Sequence, residues 1–164
     1  MWPVNVPRRG KVIPLLTGVD HDHGLRCGLT GYLAEVSSAV GVGVESCTVD
    51  LDAPTSAYVA LDLRLPRHPD RDLALSWDEH HGWSLAMETH SGEDLLVLAY
   101  LGGDLVPVPA RVRHFVAGIR SSGGPVSAPE PPDLRGDRAD LRARLLRYRR
   151  DVWAAGVPLL HRTG

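Results

Sequence analysis

The sequence predicts an α+β domain, an antiparallel sheet of four to five strands with helices packed on one face, followed by a separate helix behind a Pro/Gly-rich linker. Three observations predict it. Apolar residues alternate with period two through the middle of the chain, they recur at three and four residues on either side, and strands and helices come in runs without βαβ alternation.

Residues 1–23 carry three prolines before Leu15 and no sustained periodicity, so a flexible extension is expected there. From Gly24 the residues Leu25, Leu29, Tyr32, Leu33, Val36 and Val40 form the stripe of an amphipathic helix, which Gly41 and Gly43 would end. Glu45 to Leu51 and Ala57 to Leu63 alternate as strands, with turn chemistry at Asp52-Ala53-Pro54-Thr55 between them. The two prolines of RLPRHPDR, residues 64–71, suggest a loop.

The best-specified segment is the next one. Leu73, Leu75 and Trp77 alternate, Asp78-Glu79-His80-His81-Gly82 reads as a turn, and Trp83, Leu85 and Met87 alternate again. Folding back so that Trp77 faces Trp83 pairs Leu75 with Leu85 and Leu73 with Met87, all on one face, whereas a slip of one residue sends half of them to solvent. After a turn at THSGED, the strand LLVLAYL is apolar on both faces, which suggests a place in the middle of the sheet or under a helix. Pro109 can start a second helix with Val112, Phe115, Val116 and Ile119 on one face.

The core is thus expected over residues 24–120. Residues 121–136 form the linker, with four prolines and two glycines between Ser121 and Asp133. Residues 137–164 hold a basic amphipathic helix and tail. Leu141, Leu145, Tyr148 and Val152 make its apolar stripe, and arginines including Arg142 and Arg149 surround it.

Composition narrows the functional classes. Hydrophobic content of 43% and charged content of 23% suit a soluble globular protein, and the run Leu95 to Leu101 is too short to span a bilayer, so no membrane role is expected. The short N-terminal apolar patch is followed by no small-residue cleavage site; no signal peptide is expected, and the default location is the cytoplasm. Lys11 is the single lysine among 18 basic residues, a bias of the kind GC-rich coding produces. Residues 1–133 hold 10 basic and 17 acidic side chains (net −7), and residues 134–164 hold 8 and 3 (net +5), so an acidic body carries a basic tail.

The stretch from about Leu25 to Ile119, with VGVGVESCTVD, SAYVALD and the motifs LxWDExxGW and ETHSGEDLxVLAYLGGD, resembles an uncharacterised domain family of actinomycetes with no assigned function. The resemblance therefore implies a domain but lends no catalytic residue. The element order is also similar to that of small helix-flanked sheets used as peptide-binding chaperones, an analogy at the level of fold.

Several clusters offer chemistry. His21-Asp22-His23 with Cys27 has ligands that suit zinc, but four are needed, the last from as far away as Cys47, and the spacing fits no zinc pattern; no metal and no cofactor are expected. His80, His81 and His90 lie on turns beside carboxylates, the ingredients of general acid-base work, yet hairpin turns commonly hold such residues merely solvated. Trp77 and Trp83 read as a cross-strand core pair or as an exposed recognition platform, and the core reading fits the leucines on their face. No nucleophile elbow, phosphate loop or dinucleotide fingerprint is present.

The expectation is a non-enzymatic, protein-binding accessory or regulatory module. It would meet a protein partner, or a second copy of itself in a homodimer, through Leu141, Leu145, Tyr148, Val152, Arg142 and Arg149, with Trp77, Trp83, His80, His81 and His90 as a possible recognition surface. The alternatives are nucleic-acid binding by the arginine-rich helix, disfavoured by the acidic body, and an enzyme with a histidine/carboxylate site near the hairpin turns.

Overall fold

The computed structural model describes residues 21–89, 94–123 and 129–149. Helix α1 (His21–Val40) is followed by a single 3-10 turn (Val44–Ser46) and five strands: β1 (Cys47–Asp50), β2 (Ser56–Leu65), β3 (His68–Asp78), β4 (Gly82–Glu88) and β5 (Leu95–Tyr100). Helices α2 (Pro109–Ser122) and α3 (Arg138–Leu146) complete the described residues. The strands form one antiparallel meander in the order β1-β2-β3-β4-β5, so the architecture is α+β.

The central hairpin has the register that its hydrophobic pattern demands: Trp77 opposes Trp83, Leu75 opposes Leu85 and Leu73 opposes Met87. Asp78 opposes Gly82, which leaves a three-residue turn. Gly82 adopts φ +69°, a left-handed conformation that costs a side-chain-bearing residue but not glycine. All six apolar residues of the hairpin are buried on the face that meets Leu25, Leu29, Tyr32, Leu33 and Val36 of α1 in one core. There α1 packs against both α2 and α3.

Both indoles satisfy their N–H groups inside this core. Trp77 Nε1 donates to the Leu105 carbonyl at 2.7 Å, and Trp83 Nε1 donates to the Tyr32 hydroxyl at 3.0 Å, which itself donates to the Pro107 carbonyl at 2.6 Å. The segment between β5 and α2 is thereby tied down by two buried hydrogen bonds, one of them relayed from Trp83 through Tyr32, and burial pushes the Tyr32 phenol far above its ordinary pKa.

Two elements differ from expectation. RLPRHPDR is not a loop: β2 and β3 run through it with a two-residue turn at Pro66-Arg67, because Pro66 sits in the turn and Pro69 lies in a register shift, where neither is asked for a ladder hydrogen bond. Arg64 holds that arm closed, donating to Asp72 Oδ1 at 2.7 Å and to the Pro69 carbonyl at 3.2 Å. Strand β5 lies at the edge of the sheet rather than in its middle. A bulge opposite Leu85 and Ala86 turns Leu98 into the core and interrupts the edge, a device that discourages edge-to-edge pairing.

The described ends of the expected linker are tied to the fold. Helix α2 extends to Ser122, and farther on Leu134 donates its N–H to the His80 carbonyl at 2.8 Å and packs against the core. Asp137 then caps α3, accepting from the Ala139 N–H at 3.0 Å. Leu141 and Leu145 are buried against α1, where Gly24, Gly28 and Gly31 form a seam of glycines. A Cβ built on Gly28 would come within 2.7 Å of the Leu145 backbone, so α3 approaches closely only because no side chain stands there.

Arg144 of α3 reaches back to Asp104, whose Oδ1 also accepts the Val106 N–H at 3.0 Å. Burial alone would raise the Asp104 carboxyl, but the bonds from Arg144 and Val106 hold it below the usual carboxylate range. A depressed folded-state pKa contributes stability above the ordinary carboxylate range, and that contribution is lost as pH falls through the lowered value. Asp104→Asn is therefore expected to lower the melting temperature at neutral pH, with the gap to wild type narrowing as pH falls below the ordinary carboxylate range. Melting curves across that range check it; a gap that stays constant with pH would rule out the ion pair as its source.

Candidate binding site on the open sheet face

Strand alternation sends one set of side chains to the helices and the other to the opposite face. On that second face the register aligns Tyr58, Ser76, Ser84 and Tyr100 in one row across β2, β3, β4 and β5. The adjacent row holds Ala60, Ala74, Ala86 and Val97, and beyond it Glu88 opposes Leu95. Small residues thus floor the middle of the face and large ones stand at its sides.

Ala74, Ser76, Ser84 and Ala86 are buried although no described helix packs over them. The tyrosines explain part of this. Tyr58 donates its hydroxyl to Glu88 Oε1 at 2.7 Å, and since β3 lies between β2 and β4, the phenol must lie across β3 to reach it. Towards β5, a hollow of about 140 Å³ is lined by Ser76, Asp78, His81, Ser84, Ala86, Leu95, Val97, Tyr100 and Pro131.

At the turn end of the hollow, Asp78 Oδ1 accepts the N–H groups of His80 and His81 at 2.8 and 2.9 Å, an Asx turn that fixes the carboxylate. His81 Nδ1 lies 3.1 Å from both Asp78 oxygens, and its ring stands 6.2 Å from that of Tyr100. Burial, and then the Asp78 charge, raise the Tyr100 phenol above its ordinary pKa, so it faces the hollow as a neutral hydrogen-bonding group. Ser84 donates its hydroxyl to the Ser76 carbonyl at 3.3 Å. Ser76, a residue only 7% exposed, lines the hollow beside it.

A histidine oriented by a carboxylate is half of a nucleophile-activating arrangement. The other half is not assembled here: among the described residues no hydroxyl is bonded to His81, and Ser84 is committed to a carbonyl. The arrangement can recognise a ligand through an apolar floor, a carboxylate and hydroxyls.

The residues singled out from the sequence fall in three places. Trp77 and Trp83 are fully buried on the helix side, so they form core and no recognition platform. His81 lies at the hollow with His80 packed edge-on at 6.0 Å, and His90 lies outside the described residues. Of the C-terminal set, Leu141 and Leu145 are buried within the chain, Tyr148 packs on Tyr32 with ring centroids 4.8 Å apart, Arg142 is half-buried beside Gly24, Arg149 is exposed, and Val152 lies outside the described residues. Tyr58, Tyr100 and the serine pair escaped attention; carrying the Trp77/Trp83 register outwards by one strand on each side would have placed them in one row.

Cys27 and Cys47 are free thiols, Cys27 with His23 Nε2 at 3.5 Å and Cys47 with its pKa raised by burial. The described residues hold no group of three or more His, Cys, Asp or Glu suited to a metal ion, and no described helix is long and apolar enough to cross a membrane. The side chains of His21 and Asp22 lie outside the described residues.

A second hollow, of about 170 Å³, lies between Gly103-Asp104-Leu105 and the start of α3. Two of the carboxylates that line it are committed, Asp104 to Arg144 and Asp137 to the cap of α3. It is a joint between elements.

No curated protein and no solved structure matches the chain. A family model described as "Family of unknown function (DUF6292)" matches residues 32–118, from Tyr32 in α1 almost to the end of α2 and so across the whole sheet; the match covers just over half of the chain, and the protein belongs to that family.

Proposed function

We propose that the protein is a non-enzymatic binding module that takes an extended segment of a partner protein on the open face of its sheet. The observation that carries this reading is the hollow floored by the small residues Ser76, Ser84 and Ala86, set between the Tyr58 phenol lying across β3 on one side and Tyr100, Leu95 and Val97 on the other. A trough of that form fits side chains of a narrow ligand, and tyrosines supply large, rigid contact surfaces at its rim.

Two further observations support binding by this face over binding by the C-terminal helix. The apolar stripe of α3 is spent on α1 of its own chain. Its arginines are in part spent as well: Arg144 binds Asp104, and Arg138 donates to Thr55 Oγ1 at 3.3 Å and lies 3.9 Å from Glu79 Oε2. Fewer charges remain for phosphate contacts, which weighs against the nucleic-acid alternative.

Selection from a random peptide library on the full chain, followed by affinity measurement on a Val97→Arg variant, tests the proposal. Enriched peptides are expected to bind wild type saturably and to lose at least about tenfold in affinity on the variant, whose long side chain starts from a half-buried position at the side of the hollow and obstructs it, at a melting temperature close to that of wild type. Peptides that bind both proteins equally, or no enrichment, would refute it.

A further inference from the structure

We infer that the hollow above Ser76 and Ser84 receives a basic side chain, arginine or lysine, of the bound segment. This rests on the open face being a binding surface and adds the chemistry of its central pocket.

The lining is divided by chemistry. Ala86, Leu95, Val97 and Pro131 offer carbon surface for the methylene stem of a long side chain. At the other end, Asp78 offers a carboxylate whose Oδ1 is taken by two backbone N–H groups, while Oδ2 has His81 Nδ1 as its contact and so keeps accepting capacity. Ser76 lines the hollow and offers a hydroxyl that can accept. The Tyr100 ring adds an aromatic surface of the kind that attracts a cation.

The charge of the face agrees. The rows of this face place Asp50 and Asp78 on it, and the arginine they carry, Arg64, is committed to Asp72. A basic side chain is therefore drawn in by charge and held by hydrogen bonds, an acidic one is repelled, and a leucine makes no hydrogen bond with Asp78 or Ser76.

Amide-detected NMR titration of the full chain with four capped tripeptides, Ala-X-Ala with X arginine, lysine, leucine or glutamate, tests this. The arginine and lysine peptides are expected to shift the amides of Ser76, Ser84, Val97 and Tyr100 saturably, more weakly as salt is raised, and the leucine and glutamate peptides are not. Asp78→Asn keeps the Asx turn through its amide oxygen and is expected to weaken the arginine peptide about tenfold. Ser84→Val, which fills the hollow on a strand-favouring residue, is expected to abolish binding and serves where the Asn variant fails to fold. Leucine binding as tightly as arginine, an unchanged affinity in the variants, or no saturable shift with any peptide at about 10 mM would overturn the inference. A peptide selection that yields face-dependent binders without basic residues would overturn it too, while leaving the proposed binding face in place.

Discussion

Trp83→Ala is expected to destabilise the protein by about 3–5 kcal/mol, the range for emptying a large aromatic site in a core. Trp83 is 0% exposed, opposes the equally buried Trp77, and donates its indole N–H to Tyr32, the residue that anchors the Pro107 carbonyl. The alanine variant thus loses packing and one link of a buried chain that joins the sheet, α1 and the entry to α2. Trp83→Phe separates the two contributions: it keeps most of the ring volume, removes the donor, and should cost nearer to about 1–2 kcal/mol. Denaturant midpoints at matched slope read both changes directly. An alanine midpoint within about 0.5 kcal/mol of wild type would mean that the indole is not part of the core.

Gly28→Ala is expected to cost about 2–4 kcal/mol, although alanine is the better helix former. In an exposed helix interior the same change stabilises by about 1 kcal/mol. At Gly28 the new methyl group would lie 2.7 Å from the Leu145 backbone, which has no flexible end to swing aside, so α3 must move off. Partial exposure of Leu141 and Leu145 outweighs the helix-propensity gain, since burying each such side chain is worth about 1.5–3 kcal/mol. Gly118→Ala is the matched control: it lies within α2, exposed, with nothing within 4 Å of the added atom, and should stabilise by about 0.5–1 kcal/mol. Melting temperatures give the two signs, and hydrogen exchange over residues 138–146 shows whether α3 is the element released. If both variants gain stability, α3 does not seat on the glycine seam.

The central hairpin was readable because its two faces differ so sharply that every wrong register exposes leucine or tryptophan; the register Leu73/Met87, Leu75/Leu85, Trp77/Trp83 follows from that alone. The start of α2 at Pro109 was readable for a similar reason, because proline acts on its own backbone within a turn of chain. The prolines of RLPRHPDR misled because a proline's cost depends on whether its missing N–H would have faced a neighbouring strand, which residue spacing does not record.

The candidate site was less readable than the core. Ser76, Ser84, Tyr58 and Tyr100 are unremarkable one strand at a time, and become a walled trough only when four strands bring them into one row. His81 and Asp78 were visible as a turn, but their place at the end of that trough was not.

What this sequence determined by itself is the set of elements and the face each would bury, because side-chain alternation, helical spacing and turn residues act over a few neighbouring residues. Tertiary structure alone decided that β5 closes the sheet at its edge, that α3 seats on Gly24, Gly28 and Gly31, and that the serines and tyrosines of four strands meet in one row at a hollow. Each of these depends on what stands opposite a residue far away in the chain. A glycine in a helix reads locally as a weakness, and it becomes a docking seam only when a second backbone arrives to fill the space.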